Sequence, residues 1–451
     1  MRMLWFETAL LGDGWARNVR IETEDGRISR IESGAAPHAT DSRHAILLPG
    51  LCNVHSHAFQ RGMAGLAETR GPENDDFWTW REVMYHFLDR LTPEDVEAIA
   101  ALAYVEMLEG GFTRVGEFHY LHNDPSGSSY ADPAELAARI AAAAEQTGIG
   151  LTLLPVFYAH ANFGGTPPKP GQRRFITDVE SFARLVDASR TVIAPLPDAN
   201  LGVAPHSLRA VTPEELQRIV PFAGGGPVHI HAAEQTKEVE DCLAWSGARP
   251  VEWLLDNADV DSRWCLVHAT HMLESETTRL AQSGAAAGLC PVTEANLGDG
   301  VFPARTYLDA YGRFGIGTDS NVRIAAAEEL GMLEYAQRLS RRARNLWPAR
   351  QGESTGRALF DGALAGGAQA LGQPNCALRL GGPADFFSLS AADPSLAGRK
   401  DDAILDSWIF AGAAIDSVWR RGQQIVSGGR HRDRDAIAAR YGQVLRNLLS
   451  A

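Results

Sequence analysis

The sequence predicts an α/β fold, a (β/α)8 TIM-like barrel joined to a small β-sandwich domain built from both chain ends. Between about residues 50 and 370, short apolar runs alternate with segments of helical periodicity, as expected for βα units feeding a parallel sheet. Eight such runs occur there, the number that closes a barrel. The chain ends read instead as alternating strands with turn signals, and 451 residues exceed one ordinary core, so a second domain is expected. The β-sandwich is assigned to residues 1–48 and 376–430, the barrel to 49–375, and a C-terminal helix to 431–451.

In chain order, Asn18-Val-Arg-Ile-Glu22 typifies the N-terminal strands, and the barrel strands are expected near 50–55, 112–118, 150–157, 199–205, 227–231, 264–268, 286–290 and 314–318. The insert Ala58–Leu91 is far longer than a usual βα connection and carries Trp78, Trp80, Arg81 and Tyr85, which suggests a lid or substrate wall. Thr92-Pro-Glu-Asp95, Asp132-Pro-Ala-Glu135 and Thr212-Pro-Glu-Glu215 each offer an N-cap, a proline in the first turn and an acid at the third position, so helices should start there. Ala161–Arg174, with paired glycines and paired prolines, reads as a second, mobile flap. Asp385-Phe-Phe-Ser-Leu389 and Ser417-Val-Trp-Arg-Arg-Gly422 return to strand, and Asp435–Leu449 has apolar residues at helical spacing.

A 45% hydrophobic and 22% charged composition describes a globular chain able to bury a large core. The formal charge of −14, with Lys169, Lys237 and Lys400 the only lysines and no basic stripe, excludes nucleic acid as an expected partner. No run is long enough to span a bilayer, and the N-terminus lacks a signal-peptide core, so neither a membrane partner nor export is expected and a cytoplasmic location is. Cys52, Cys242, Cys265, Cys290 and Cys376 contain no C-x-x-C pair, which argues for reduced, packed thiols.

The chemistry gathers at strand ends. Leu47–Val54 runs into His55-Ser-His57, Phe314–Thr318 ends at Asp319, and between them lie His229-Ile-His231-Ala-Ala-Glu234 and Leu266-Val-His268. Imidazoles at i and i+2 of one strand end face the same side and can grip one ion. Neutral imidazole nitrogens with a carboxylate suit Zn²⁺.

His55-Ser-His57 after the first barrel strand, His231 after the fifth, His268 after the sixth and Asp319 after the eighth resemble the amidohydrolase superfamily over nearly the whole chain, and the flanking sandwich fits that family too. The resemblance implies a metal held by His55, His57, His231 and Asp319, with water completing the shell. Some members bridge two metals through a carbamylated lysine at the fourth strand end. Here that end reads Val203-Ala-Pro-His206-Ser-Leu-Arg209, without lysine, so one Zn²⁺ per chain is expected. The superfamily's deaminases carry a glutamate three residues past the strand-5 histidine, which makes Glu234 the proton shuttle. Position alone also allows Glu234 to cap a helix or pair with Lys237. His268 is expected to hold the water or the developing oxyanion and Asp319 to share the attacking proton, with His271 a solvated alternative to His268. His229 is read as a support behind the ligands. The implied reaction is hydrolytic deamination, with ammonia leaving a tetrahedral intermediate.

Within that superfamily, His55-Ser-His57-Ala-Phe-Gln60-Arg61-Gly62, Gly116-Glu-Phe-His-Tyr120, Pro205-His206-Ser-Leu-Arg209, His229-Ile-His231-Ala-Ala-Glu234-Gln235 and Thr293-Glu-Ala-Asn296-Leu-Gly-Asp299-Gly300 are similar to the formimidoylglutamate deiminases. That likeness implies hydrolysis of N-formimidoyl-L-glutamate, in histidine breakdown, and a small-molecule partner with two carboxylates. Arg81 and Arg209 could each fork onto a carboxylate, and Gln60, Tyr120 and His206 could add donors. On residue type alone, Arg81 could equally be a surface arginine and Arg209 a partner of Glu214 or Glu215. A homodimer is expected of such barrels. Two other readings stay open, a zinc deaminase of a nucleobase or related heterocycle and a non-catalytic scaffold that retains the fold.

Overall fold

The computed structural model describes residues 2–71 and 75–450. The chain opens with strands β1 (Arg2–Leu11), β2 (Gly14–Glu24), β3 (Arg27–Glu32) and β4 (Ser42–Pro49). The central strands are β5 (Leu51–Ser56), β6 (Phe112–His119), β7 (Gly150–Phe157), β8 (Asn200–Leu201), β9 (Ala204–Pro205), β10 (Val228–Ala232), β11 (Trp264–His268), β12 (Ala286–Leu289) and β13 (Arg313–Ile316). The tail adds β14 (Phe386–Leu389), β15 (Ile415–Arg420), β16 (Gln423–Ser427) and β17 (Arg430–His431).

The central strands are all parallel and run in the order β10-β11-β12-β13-β5-β6-β7-β8. The circle closes where Val203 bridges Val228 and Ser207 bridges His231. Strand positions one to eight of the sequence reading are thereby all occupied, and the fourth is split into β8 and β9. The break falls at Gly202, where a Cβ would lie 2.3 Å from the Pro227 carbonyl oxygen. Backbone approaches there too closely for regular pairing with side chains. β5, β6 and β7 are buried along their whole length; β7 is the near-continuous apolar run that a covered parallel sheet requires, whereas β5 and β6 also bury polar residues, Asn53 and His55 in one and Arg114 and Glu117 in the other. Helix Thr355–Ala370 plugs the end of the barrel opposite the strand C-termini, with the Leu371 carbonyl accepting from Thr152 and Asn200 and the Ala370 carbonyl from His229.

The two chain ends combine in a single eight-stranded sheet, β17-β16-β15-β14-β4-β1-β2-β3. It folds over its own core, because Arg27 beside β3 bridges Pro383 on the approach to β14, and Phe6, Val19, Ile21, Ile28, Phe386 and Trp419 pack inside. A buried charge cluster fastens this sheet to the barrel. Arg420 of β15 pairs with Asp385, and with Asp198 at 2.9 Å, while Arg114 of β6 holds Asp198 at 3.0 Å. The C-terminal helix forms over Arg434–Ser450 and packs on the barrel helix Pro93–Glu109, with Arg434 paired to Glu106 and Glu109.

Capping boxes form at Thr92 and Thr212. At Asp132 the helix starts one turn later, at Glu135, because the Asp132 carboxylate accepts from Ala134 N at 2.8 Å and closes a turn. The first insert folds as a 3-10 turn, Ala58–Met63, and a helix, Phe77–Leu88, while its residues 72–74 lie outside the described residues. The second flap is exposed mainly in its middle, over residues 164–170. Asn162 donates to Asp241 and buried Phe163 stacks on Trp245 at its start, and buried Gln172 and Arg174 tie its end to Tyr158, Asn123 and Leu88, so the segment expected to be mobile is held at both sides. Among the described residues no helix is long and apolar enough to cross a membrane.

Replacing Arg420 by alanine leaves buried Asp385 without its ion-pair partner, while Asp198 keeps Arg114, a loss expected to cost about 3–5 kcal/mol. Chemical denaturation of Arg420→Ala against the parent measures it, and an unchanged midpoint would contradict the role given to this cluster.

Candidate active site and metal centre

His55 and His57 end β5, His231 lies in the last turn of β10, and Asp319 follows β13, so four residues from three strand ends meet at the C-terminal mouth of the barrel. Their functional atoms converge. His55 Nε2 lies 3.2 Å from His57 Nε2 and 3.0 Å from His231 Nε2, while Asp319 Oδ1 is 3.5 Å from His55 Nε2 and 3.3 Å from His57 Nε2. His57 Nδ1 faces the Phe118 carbonyl at 2.9 Å and His231 Nδ1 the His206 carbonyl at 3.0 Å. Carbonyls only accept, so each Nδ1 donates its hydrogen and each Nε2 presents a lone pair to the common centre. Burial holds all three imidazoles below the usual histidine range, His55 down to about 3, which keeps them neutral. Lone pairs packed nitrogen to nitrogen repel unless a cation sits among them, and three imidazoles with a carboxylate are a donor set that zinc accepts.

This convergence is held by residues the sequence reading did not single out. Asn53 and Thr318 exchange two hydrogen bonds across β5 and the end of β13. Asn321 Nδ2 donates to Ser56 Oγ, the His57 carbonyl and the Asp319 carbonyl at 3.0–3.1 Å, and its Oδ1 accepts from Thr318 at 2.6 Å. Gly317 allows the approach, since a Cβ there would lie 2.9 Å from His55 Cβ. Asp319 and His268 both adopt positive φ, 44° and 67°, conformations that cost a non-glycine residue about 1–3 kcal/mol and persist only where neighbours enforce them.

Glu234 and His268 stand beside the cage. His268 Nε2 is 3.6 Å from Glu234 Oε1 and 3.8 Å from Asp319 Oδ2, and its Nδ1 is 3.4 Å from Glu294 Oε1. Burial lowers the His268 pKa, but the carboxylates of Glu234, Glu294 and Asp319 outweigh it and push it up to about 10. Burial raises Glu234 to about 7 against the opposing charges of His268 and Arg209. Asp319 is held well below the usual carboxylate range, its neighbouring imidazoles outweighing burial. Lys237 pairs with Asp241 instead of Glu234, and Glu238 accepts from the Ala233 and Glu234 amides, so Glu234 turns into the site. His271 Nε2 donates to the Asp299 carbonyl and does not line the cavity. His229 is not behind the ligands. It sits at the barrel floor against Ala370, because two residues of extended chain carry a side chain well away along the strand.

Above the cage a cavity with about 540 Å³ of empty space is lined by Gln60, Arg81, Tyr120, His206, Arg209 and Glu234, together with His57, His231, His268 and Asp319. Arg81 comes from the first-insert helix and Arg209 from the loop after β9. Trp78 stands near both, with the guanidinium carbons 4.5 Å and 5.7 Å from its ring. Glu215 is taken by His160 at 2.9 Å, and the carboxylate nearest Arg209 is Glu234 at 3.8 Å. Arg81 has no ion-pair partner among the described residues, and Nε of each arginine is buried without a hydrogen bond. Gln60 Nε2 donates to the Tyr120 hydroxyl at 2.7 Å, and His206 is kept neutral by burial and by Arg209. Tyr85, Tyr158, Phe175 and Leu297 also line the cavity. Apart from Tyr85, noted as part of the insert, they were not singled out, because their distance in the chain gives no signal of a shared wall.

Residues 46–425 match the amidohydrolase family. The chain belongs to the amidohydrolase family. Residues 1–45 of this amidohydrolase match a further family, described as formimidoylglutamate deiminase HutF, N-terminal domain. The amidohydrolase is 52% identical over 455 residues to the formimidoylglutamate deiminase of Pseudomonas aeruginosa, covering 100% of both chains. It superposes with a TM-score of 0.97 on the crystal structure of an amidohydrolase from Brucella melitensis, at 57% identity and with 100% of both chains covered. A more distant likeness, TM-score 0.82 at 22% identity over 100% of this chain and 98% of the other, is to an adenosine deaminase from Xanthomonas campestris with bound zinc.

Asn321→Ala removes the clamp on Ser56, His57 and Asp319 while leaving every cage residue in place. Metal affinity, read by competition with a chelator, is expected to fall about 10–100-fold. Retention of full affinity would show that the cage needs no such support.

Proposed function

We propose that this amidohydrolase hydrolyses N-formimidoyl-L-glutamate to N-formyl-L-glutamate and ammonia, using one zinc ion per chain held by His55, His57, His231 and Asp319. The observation that carries this reading is the cavity itself. Two guanidinium groups, half-buried Arg81 and buried Arg209, line the same cavity as the Glu234–His268 pair and the cage. A substrate with two carboxylates and one amidine matches that division of charge, whereas a flat neutral heterocycle would leave Arg81 without a counter-charge and Arg209 with only the glutamates beside it. The full-length likeness to a formimidoylglutamate deiminase supports the same substrate. A scaffold has no use for a strained His268 and Asp319 aimed at one point.

When bound, zinc supplies a Lewis acid that makes water a nucleophile near neutral pH. The protein's own groups do the rest. Arg81 and Arg209 anchor the carboxylates, with Gln60, Tyr120 and His206 as further donors, and so fix the amidine carbon over the cage. Glu234, poised at about 7, takes a proton from the attacking water and returns it to the departing nitrogen. Cationic His268 stabilises negative charge as it develops on the added oxygen. Asp319, held ionised, accepts the remaining proton. The substrate amidine is itself protonated at neutral pH, so the single proton returned by Glu234 completes the leaving NH3 group; collapse of the tetrahedral adduct forms the formyl C=O, breaks the carbon–nitrogen bond and releases ammonia, and the proton on Asp319 passes to solvent.

Ammonia release with identification of N-formyl-L-glutamate tests the reaction. Glu234→Gln is expected to lower kcat about 10²–10⁴-fold, and Arg209→Ala to raise KM for the dianion while guanine and adenosine remain poor substrates. Deamination of such a heterocycle in preference to formimidoylglutamate would overturn the proposal.

The base must be ionised to act, so kcat/KM should rise with pH through about 7 and level off above it. A rate profile from pH 5 to 9 checks this. A flat profile in that range would remove Glu234 as the base.

A further inference from the structure

The second flap reaches the cavity through one side chain. Gln172, fully buried, accepts from the Lys169 amide through Oε1 at 2.7 Å and donates from Nε2 to the Tyr158 hydroxyl oxygen at 2.7 Å. A backbone amide can only donate, so Oε1 must face Lys169 and the side-chain amide has one possible orientation. The Tyr158 oxygen is therefore an acceptor in that bond, and its own hydrogen is left to point elsewhere. Among the described residues no protein group accepts that hydrogen. Tyr158 lines the cavity with its ring edge-on to His206, centroids 4.5 Å apart, and close enough to Arg81 and Arg209 for both charges to act on it. Burial raises its pKa, so the hydroxyl keeps its proton.

Gln60 and Tyr120 form a second glutamine–tyrosine pair on the other side of Phe175, with Tyr120 and Phe175 ring centroids 4.9 Å apart and Tyr158 and Phe175 5.6 Å apart, but there the tyrosine hydroxyl has the Met84 sulfur as acceptor at 3.3 Å. Two glutamine–tyrosine pairs thus flank one aromatic ring in a cavity that also holds two arginines. A buried donor with no protein acceptor, beside two cations, is built for an anionic oxygen.

We propose that Tyr158 donates a hydrogen bond to one substrate carboxylate, and that Gln172, a positioning residue on the flap, fixes the direction of that donor. The assignment rests on the dianionic-substrate reading. It makes the flap a determinant of specificity: its anchored end, and not its exposed part, senses whether the second carboxylate is present.

Tyr158→Phe removes the donor together with the oxygen that accepts from Gln172 Nε2, and Gln172→Ala removes the guide. For zinc-loaded enzyme and N-formimidoyl-L-glutamate, Tyr158→Phe should raise KM about tenfold or more with kcat held within about twofold, and Gln172→Ala should shift KM the same way by less. Two analogues lacking one carboxylate each, the N-formimidoyl derivatives of 4-aminobutyrate and L-2-aminobutyrate, separate binding from general damage. The penalty should vanish for the analogue that lacks the carboxylate served by Tyr158 and persist for the other. An unchanged KM, or an equal penalty on both analogues, overturns the proposal. Calorimetric binding of glutarate keeps the question separate from turnover. Should the parent enzyme not hydrolyse formimidoylglutamate, glutarate bound about tenfold more weakly by Tyr158→Phe would still sustain the donor role, and equal binding would end it.

Discussion

Three imidazole nitrogens that point their lone pairs at one spot, with a carboxylate oxygen beside them, are the constraint to which the rest of the barrel mouth is fitted. Water cannot screen the repulsion, because His55, His57 and His231 are all buried. Two of the three outward nitrogens are tied off behind the centre, His57 Nδ1 at the Phe118 carbonyl and His231 Nδ1 at the His206 carbonyl, while His55 Nδ1 is buried without a hydrogen-bond partner. The backbone pays in turn. Asp319 and His268 sit at positive φ, and the Asn53–Thr318–Asn321 clamp holds the ends of β5 and β13 together against that strain.

Around this centre, charge is divided between two walls of one cavity. On one side the carboxylates of Glu234, Glu294 and Asp319 surround His268, and burial keeps their mutual effects strong. On the other side Arg81 and Arg209 stand near Trp78, Arg209 also near Phe77; Arg81 has no ion-pair partner among the described residues, and Arg209 has Glu238 and Glu234 acting on it. On the proposed reading the first wall moves protons and the second holds anions, and Glu234 at 3.8 Å from Arg209 is where they meet. That contact keeps the glutamate from being fully neutralised by its burial, which matches a group that must both take and return a proton at neutral pH.

The supporting architecture explains why the site can be both strained and rigid. Parallel strands bring His55, His231, His268 and Asp319 to the same end of the barrel whatever their separation in the chain, and the plug at Ala370–Leu371 closes the other end. The sheet made from both termini is fastened beneath through Arg420, Asp385, Asp198 and Arg114, away from the chemistry. The two inserts lie over the cavity, and each contributes a polar group to it, Arg81 from the first and Gln172, through Tyr158, from the second.

The sequence by itself determined the barrel, its eight strand positions and the residues of the cage, because each strand is a short local pattern and each ligand sits directly at a strand end, where alternation sets its direction. Glu234 was legible for the same reason, lying three residues beyond His231. Only the tertiary structure decided what depends on distance in space. It sent His229 to the floor and kept His268 above His271, since direction along a strand does not say how deep a side chain lies. It moved the helix expected at Asp132 by a turn, where a side chain outcompeted the helix for a backbone amide. It also joined Asn53 to Thr318 and Asn321 and placed Tyr158 against Gln172, contacts between segments whose spacing in the chain carries no periodic signal. Local pattern fixes where a side chain points; closure of the barrel fixes what it meets.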